Sequence, residues 1–261
     1  MRRLVRFLAV SFVTSALVLW LAPAAFLRFG LPRMAARAGG VAEVTSAWPA
    51  LPFGASAAKL RLARDGREIQ LDDFRVVLLP SGARLDARIA NGNVLVRADG
   101  LLAQSGFVRV QDVDLESLAA LLQRSLALRG RADGVWRFGP EGSIEGTVSR
   151  GAVSIGQPAQ FEVPFAQLVV SAARAPGDGG WNVRWVDVQG PPLSGSASGT
   201  IDPSGRIDIR AEVRQLEEPV KGFFALMRLP TEPLPLTLPL EGTLAAPRIG
   251  AGAATAEPAT R

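Results

Sequence analysis

Two-residue alternation of apolar and charged side chains governs most of this chain. Ile207, Ile209, Ala211 and Val213 alternate with Arg206, Asp208, Arg210, Glu212 and Arg214. Leu85, Ala87 and Ile89 alternate with Arg84, Asp86 and Arg88, and Trp181, Val183 and Trp185 alternate with Asn182 and Arg184. Successive side chains of a strand point to opposite faces, so period two predicts strands with one dry face and one wet face. That pattern suits antiparallel sheets. The alternation sets in at about Leu60.

The turn chemistry agrees. Pro80-Ser81-Gly82 and Pro203-Ser204-Gly205 each separate two apolar-rich runs. Proline presets φ for the first turn position, and glycine supplies positive φ at the end. Asn91-Gly92 and Gly139-Pro140-Glu141-Gly142 are further hairpin signals. Successive hairpins predict a meander of neighbouring antiparallel strands. Glu145-Gly146-Thr147-Val148, Ser198-Gly199-Thr200-Ile201 and Glu241-Gly242-Thr243-Leu244 share the form x-Gly-Thr-aliphatic. Each glycine is expected in a strand that is closely approached or kinked.

Two short helices are expected to pack on the sheet. Asp114 can cap a helix over Leu115 to Leu128, with Leu115, Leu118, Ala119, Leu122 and Leu126 as its apolar stripe and Gly130 as its stop. Pro219 can open a second, to Arg228, carrying Phe223, Phe224 and Met227. Those three residues read either as core packing or as a docking patch for a partner or bilayer surface. At the far end Leu234, Leu236, Leu238, Leu240 and Leu244 share one parity, while Pro233, Pro235 and Pro239 share the other. The prolines remove N–H donors from one lateral edge, which predicts a terminal edge strand with a leucine-lined face.

A different signal occupies the start. Phe7 to Leu27 carries no charge over 21 residues, enough for a membrane-spanning helix of about 20. Arg2, Arg3 and Arg6 precede it, so the positive-inside rule places the amino terminus in the cytoplasm and the remainder outside. Trp20 suits the headgroup zone at the far end. Ala22-Pro23-Ala24 also has the spacing of a signal-peptide cleavage site; whether the chain is cut after Ala24 stays open, and both readings export the rest of the chain. The expected layout is thus residues 1–30 as start and anchor, 31–48 as juxtamembrane linker, 49–250 as a periplasmic β-rich domain and 251–261 as a disordered small-residue tail.

Charge confirms where the basic residues belong. Every charged residue before Glu43 is an arginine: Arg2, Arg3, Arg6, Arg28, Arg33 and Arg37. Taking those six from the 29 basic residues leaves 23 against 24 acidic ones, so the body is near neutral. A nucleic-acid binder needs a basic face on its folded domain; no nucleic-acid partner is expected. The chain has no His, Cys or Tyr. Disulfides, thiolate nucleophiles, imidazole acid–base pairs and zinc sites with nitrogen or sulfur ligands are excluded.

Paired carboxylates occur at Asp72-Asp73, Asp112 with Asp114, and Glu217-Glu218. Neighbours in a strand point apart, and Asp112, Asp114 and Glu116 have the character of a helix start. Ser194, Ser196 and Ser198 have no imidazole partner and read as a closely packed strand. No catalytic residue, metal site or cofactor is expected. Trp181, Val183 and Trp185, on one expected strand face, read as core or, with Leu234, Leu236, Leu238 and Leu240, as an apolar groove or partner face.

The order of these parts resembles a known family. A single amino-terminal span, β-hairpins, Gly190-Pro191-Pro192-Leu193-Ser194-Gly195, a strand–Pro-Ser-Gly–strand hairpin and the ending Leu238-Pro239-Leu240-Glu241-Gly242-Thr243-Leu244-Ala245-Ala246-Pro247 are similar to type II secretion system protein N, in the divergent branch that grades into AsmA-like proteins. The resemblance implies a single-pass inner-membrane protein with a periplasmic β domain. On this reading it is a non-enzymatic accessory whose partners are other envelope components of the secretion apparatus. The AsmA-like side implies a curved sheet whose apolar groove handles lipid. The combined expectation is a mainly β chain: an amino-terminal transmembrane helix, then an antiparallel meander with two packing helices.

Overall fold

A computed structural model describes residues 20–51, 53–64, 67–100, 104–121, 128–155, 161–177, 179–244 and 246–250. It is mainly β. Among the described residues, fourteen strands form a sheet in strict sequence order. They are β1 (Gly40–Ala50), β2 (Gly54–Arg64), β3 (Arg67–Leu79), β4 (Gly82–Ile89), β5 (Gly92–Asp99), β6 (Ser105–Asp114), β7 (Leu128–Phe138), β8 (Ser143–Ile155), β9 (Phe161–Arg174), β10 (Trp181–Gln189), β11 (Leu193–Ile201), β12 (Arg206–Leu216), β13 (Leu236–Thr243) and β14 (Ala246–Ile249). The chain divides into two compact units, Met1–Val113 with Ser117–Ser125, and Asp114–Glu116 with Leu126–Arg261. Strand pairing inside each unit is antiparallel, as the hairpin-rich sequence requires.

In the amino-side unit, the rows Ala47–Ala57–Phe74 and Pro49–Ala55–Val76–Leu85–Val96–Val108 are apolar across the sheet. A helical segment lies on this face. It runs from Trp20 through a π-turn at Phe26–Gly30 into α1 (Leu31–Arg37). Ala24 and Leu27 are buried with Ala55, Ala57, Leu60, Phe74 and Ala87, and Leu31 packs beside them. The opposite face carries exposed ion pairs, including Arg61 with Glu43 and Glu68, and Arg84 with Asp86. These pairs hold the Glu68 carboxyl below its ordinary range and raise the Arg84 guanidinium.

In the carboxyl-side unit, α3 (Val220–Leu226) packs over one end of the sheet. Val220 is buried with Val163, Val213, Leu216, Leu236 and Leu238, and Phe224 and Leu193 pack against them. The Glu218 carboxylate accepts the Gly222 N–H at 3.2 Å near the start of this helix. The remaining helix, α2 (Leu115–Leu121), starts where Asp114 was expected to cap it: the Asp114 carboxylate accepts the Glu116 N–H at 3.1 Å.

Several expectations need correction. Residues 31–48 are not a linker; they hold α1 and most of β1. The helix from Leu115 does not reach Leu128, which opens β7, and Gly130 lies inside that strand instead of stopping a helix. A Cβ on Gly130 would come within 2.9 Å of the Gly151 Cα, so the glycine serves close strand approach. Leu122 and Leu126 lie outside the described residues. The two-residue loop before β5 is Ala90-Asn91, both at positive φ, and Gly92 is the first strand residue. Leu234 to Leu244 is not the terminal edge, because β14 pairs with Leu240 to Thr243. The parity argument still describes its hydrogen bonding: the Pro239 carbonyl accepts the Gly250 N–H, so Pro239 faces away from β12.

No helix of the described residues is long and apolar enough to cross a membrane. Residues 7–19 of the expected span, and the expected tail 251–261, lie outside the described residues.

Candidate functional site

Register fixes which residues share a face in the carboxyl-side unit. Reading across β7 to β13, one row is Trp136–Ile144–Ala172–Val183–Gly199–Ile209–Leu240. The next is Gly134–Gly146–Val170–Val186–Ala197–Ala211–Leu238, and the third is Ala132–Val148–Leu168–Val188–Gly195–Val213–Leu236. All three rows are free of polar side chains over seven strands. Trp181 begins a shorter row with Ile201 and Ile207 toward the turn end.

The reverse face is mainly polar. Asp133, Thr147, Asp187, Ser196, Glu212 and Thr237 occupy one row, interrupted only by Val169. Arg214 pairs with Asp187 there, and Arg137 with Glu145 at 3.6 Å.

Coverage of the apolar face is uneven. At the α3 end Leu236 is 2% exposed and Leu238 4%. Toward β7 and β8 the face opens: Trp136 is 48% exposed and Ile144 37%. Val170, Val186 and Ala197 are half-buried between these limits. The Trp136 and Phe138 rings meet edge to face with centroids 6.2 Å apart. The described part of α2 contributes no residue to the two buried clusters.

The expected groove residues are brought together in part. Trp181, Val183, Leu236, Leu238 and Leu240 share this face. Leu234 precedes β13 and is exposed. Trp185 is on the other face. Val183 pairs with Ala172 but Trp185 with Ser171, so the alternation slips by one residue at a bulge. Arg184 and Trp185 both lie opposite Ser198, and Trp185 is 48% exposed among polar neighbours. Of the expected docking patch, Phe224 packs on the core cluster, Phe223 is half-buried, and Met227 is exposed beside Leu226. Sequence reasoning did not single out Trp136, Ile144, Val170, Val186 or Ala197; the alternation in β7 to β11 carries the signal, but only pairing shows that these positions align.

Open clefts among the described residues include two lined largely by charged side chains. One, of about 810 Å³, is lined by Asp202, Arg206, Asp208, Glu241 and Arg248. The other, of about 340 Å³, is lined by Arg184, Trp185, Ser198, Arg210 and Glu212. In the first, Asp202 is committed to its turn: it accepts the Ser204 hydroxyl at 2.6 Å and the Arg206 N–H at 2.8 Å, and these bonds hold its carboxyl below the ordinary range. Ser194, Ser196 and Ser198 belong to β11, alternating with Gly195, Ala197 and Gly199 on the apolar face. The carboxylate pairs are likewise engaged locally: Asp73 with Arg88, Glu217 with the Gln215 amide, and Glu218 with the α3 start. Among the described residues no three carboxylates gather as a metal site. Among the described residues the arrangement presents an apolar strip along one face, and no nucleophile, base and orienter converge there.

The class that fold and site define is an antiparallel meander with one apolar and one polar face, whose apolar side exposes Trp136 and Ile144 among the described residues. Comparison of the chain with protein-family models, curated proteins and solved structures returns no match.

Proposed function

We propose that this chain is a non-enzymatic, membrane-anchored envelope protein that contacts lipid acyl chains through the apolar sheet face of its carboxyl-side unit. The observation that carries this is the set of three apolar rows across β7 to β13, buried under α3 at one end, half-buried at Val186 and open around Trp136 and Ile144 at the other. Large uncovered apolar areas mark membrane, ligand or protein contacts. A row of Val, Ala and Gly without a hydrogen-bonding group suits hydrocarbon better than peptide, whose backbone N–H and C=O need partners. The AsmA-like side of the resemblance points the same way.

Photocrosslinking tests it. A benzophenone amino acid at Val186 should capture phospholipid from the membrane, while one at Ser196, on the polar side, should not. Failure of Val186 to capture lipid in the purified full chain would remove the reading.

A second role is favoured by the segments that carry the family resemblance. Gly190 to Gly195, the Pro-Ser-Gly hairpin and Leu238 to Pro247 follow one another through β11 to β14. In this role the chain is an inner-membrane accessory of the type II secretion apparatus, with its main domain periplasmic and its charged face available to envelope components. Affinity capture of the anchored protein should recover inner-membrane secretion components; their absence would sink the second role without touching the first.

A further inference from the structure

The helical segment ahead of β1 is apolar on two sides. Toward the sheet it buries Ala24 and Leu27. Away from it, Leu21 is 42% exposed, Phe26 51%, Phe29 56% and Met34 55%. Four large apolar side chains are thus exposed within fourteen residues, two of them phenylalanines, a concentration of the kind that marks a membrane or partner contact. Arg28, Arg33 and Arg37 are exposed on the same segment, and no acidic residue precedes Glu43. The Arg28 guanidinium lies 5.5 Å from the Phe29 ring centroid, joining the cationic and aromatic parts.

We propose that residues 21–37 form a bracket between an anionic bilayer surface and the first sheet. Phe26, Phe29 and Met34 enter the headgroup–acyl boundary, and Arg28, Arg33 and Arg37 take lipid phosphates. Apolar side chains interleaved with cations are the composition of interfacial helices. The uncharged run from Phe7 leads directly into this segment, so a bilayer is the occupant that chain continuity and charge both select. The inference rests on the reading that the chain is membrane-anchored, and it adds which side of the segment meets lipid: Ala24 and Leu27, although within the expected span, serve the sheet.

The absence of cysteine makes the test clean. Single cysteines at Phe29, Met34, Leu31 and Thr200 of the full chain are labelled with bimane. The protein is then reconstituted in vesicles of phosphatidylcholine and phosphatidylglycerol with brominated acyl chains. Quenching at Phe29 and Met34 should exceed that at Leu31 and Thr200 several-fold. It should fall when phosphatidylglycerol is omitted or when Arg28, Arg33 and Arg37 are all changed to glutamine. If the chain floats with the vesicles but labels at Phe29 and Met34 read water, the bracket is wrong and anchoring stands. If the chain does not float, anchoring and bracket fall together. Equal quenching at all four positions also overturns the bracket, since it would deny the segment a lipid side.

Discussion

Leu236, 2% exposed, is with Val220 among the most buried side chains of the carboxyl-side unit, on the sheet face that α3 covers. Truncating a buried leucine removes transfer free energy and leaves a cavity, so Leu236→Ala should cost about 2–5 kcal/mol; a urea titration measures it. The glycines of the repeated x-Gly-Thr phrase have unequal roles. A Cβ on Gly199 would collide with the Asp208 carbonyl oxygen at a φ of +154°, whereas on Gly146 its nearest contact would be 3.3 Å. Gly199→Ala should therefore destabilise clearly more than Gly146→Ala, read as the difference in denaturation midpoint. Asp202 supplies a pH signature. Its folded-state carboxyl lies below the ordinary value because Ser204 and Arg206 donate to the charged form. That contribution is full above the unfolded carboxylate pKa and is lost as pH falls through the lower, folded one. Asp202→Asn should flatten this part of the acid limb of stability, with little change in slope at neutral pH, in urea midpoints collected from pH 7 to pH 3.

Strands, turns and the positions of both short helices were legible because period two and Pro-Ser-Gly act locally. What was not legible is where the alternation changes phase. In the amino-side unit the apolar row Val44–Leu60–Leu71 is followed by Ala47–Ala57–Phe74, a change of parity in three strands at once. Ser46 and Asp73 take left-handed φ at that step, and Arg150 does the same in β8. Such residues keep one face dry while breaking the sequence pattern, so β1 read as linker. The helix from Leu115 was overextended for a related reason: a glycine after a leucine-rich run suggests a stop, yet Leu128, Gly130 and Ala132 alternate with Arg129, Arg131 and Asp133 as a strand. The β10 bulge yields a prediction. Arg184 is the extra residue between Val183 and Trp185, so deleting it should restore regular pairing with Val183 and Val186 still on the apolar side. Deleting Asn182 instead would carry Trp181 across the sheet. The Arg184 deletion should retain cooperative unfolding and its tryptophan emission, and the Asn182 deletion should lose both; the reverse order would refute the assigned register.

At the scale of the molecule the two units treat the same problem differently. Each has one apolar and one charged sheet face. Among the described residues, Ala24, Leu27 and Leu31 cover the amino-side apolar face over β1 to β4, whereas the buried cluster of the carboxyl-side unit lies at the end reached by α3. Sequence could supply the faces but not the coverage, because coverage depends on which rows a seven-residue helix reaches. This difference predicts where an apolar ligand acts. A ligand that binds only the folded state stabilises it by RT ln(1 + [L]/Kd), about 2.7 kcal/mol at a hundredfold excess over Kd. The gain appears in amide exchange where the bound face belongs to the cooperative unit. Oleate or lysophospholipid, supplied below its micellar concentration to the full chain, should slow exchange in β8 to β12 and leave β1 to β3 unchanged. Screening salt should not reproduce the effect, since the ion pairs on the charged faces are exposed and each contributes little. Val186→Asp should abolish the protection, because a carboxylate in the second apolar row opposes hydrocarbon without removing a residue of the buried cluster. Equal protection in both units would mean that the amphiphile coats the protein nonspecifically, and no protection in either would mean that the open rows are not a binding face.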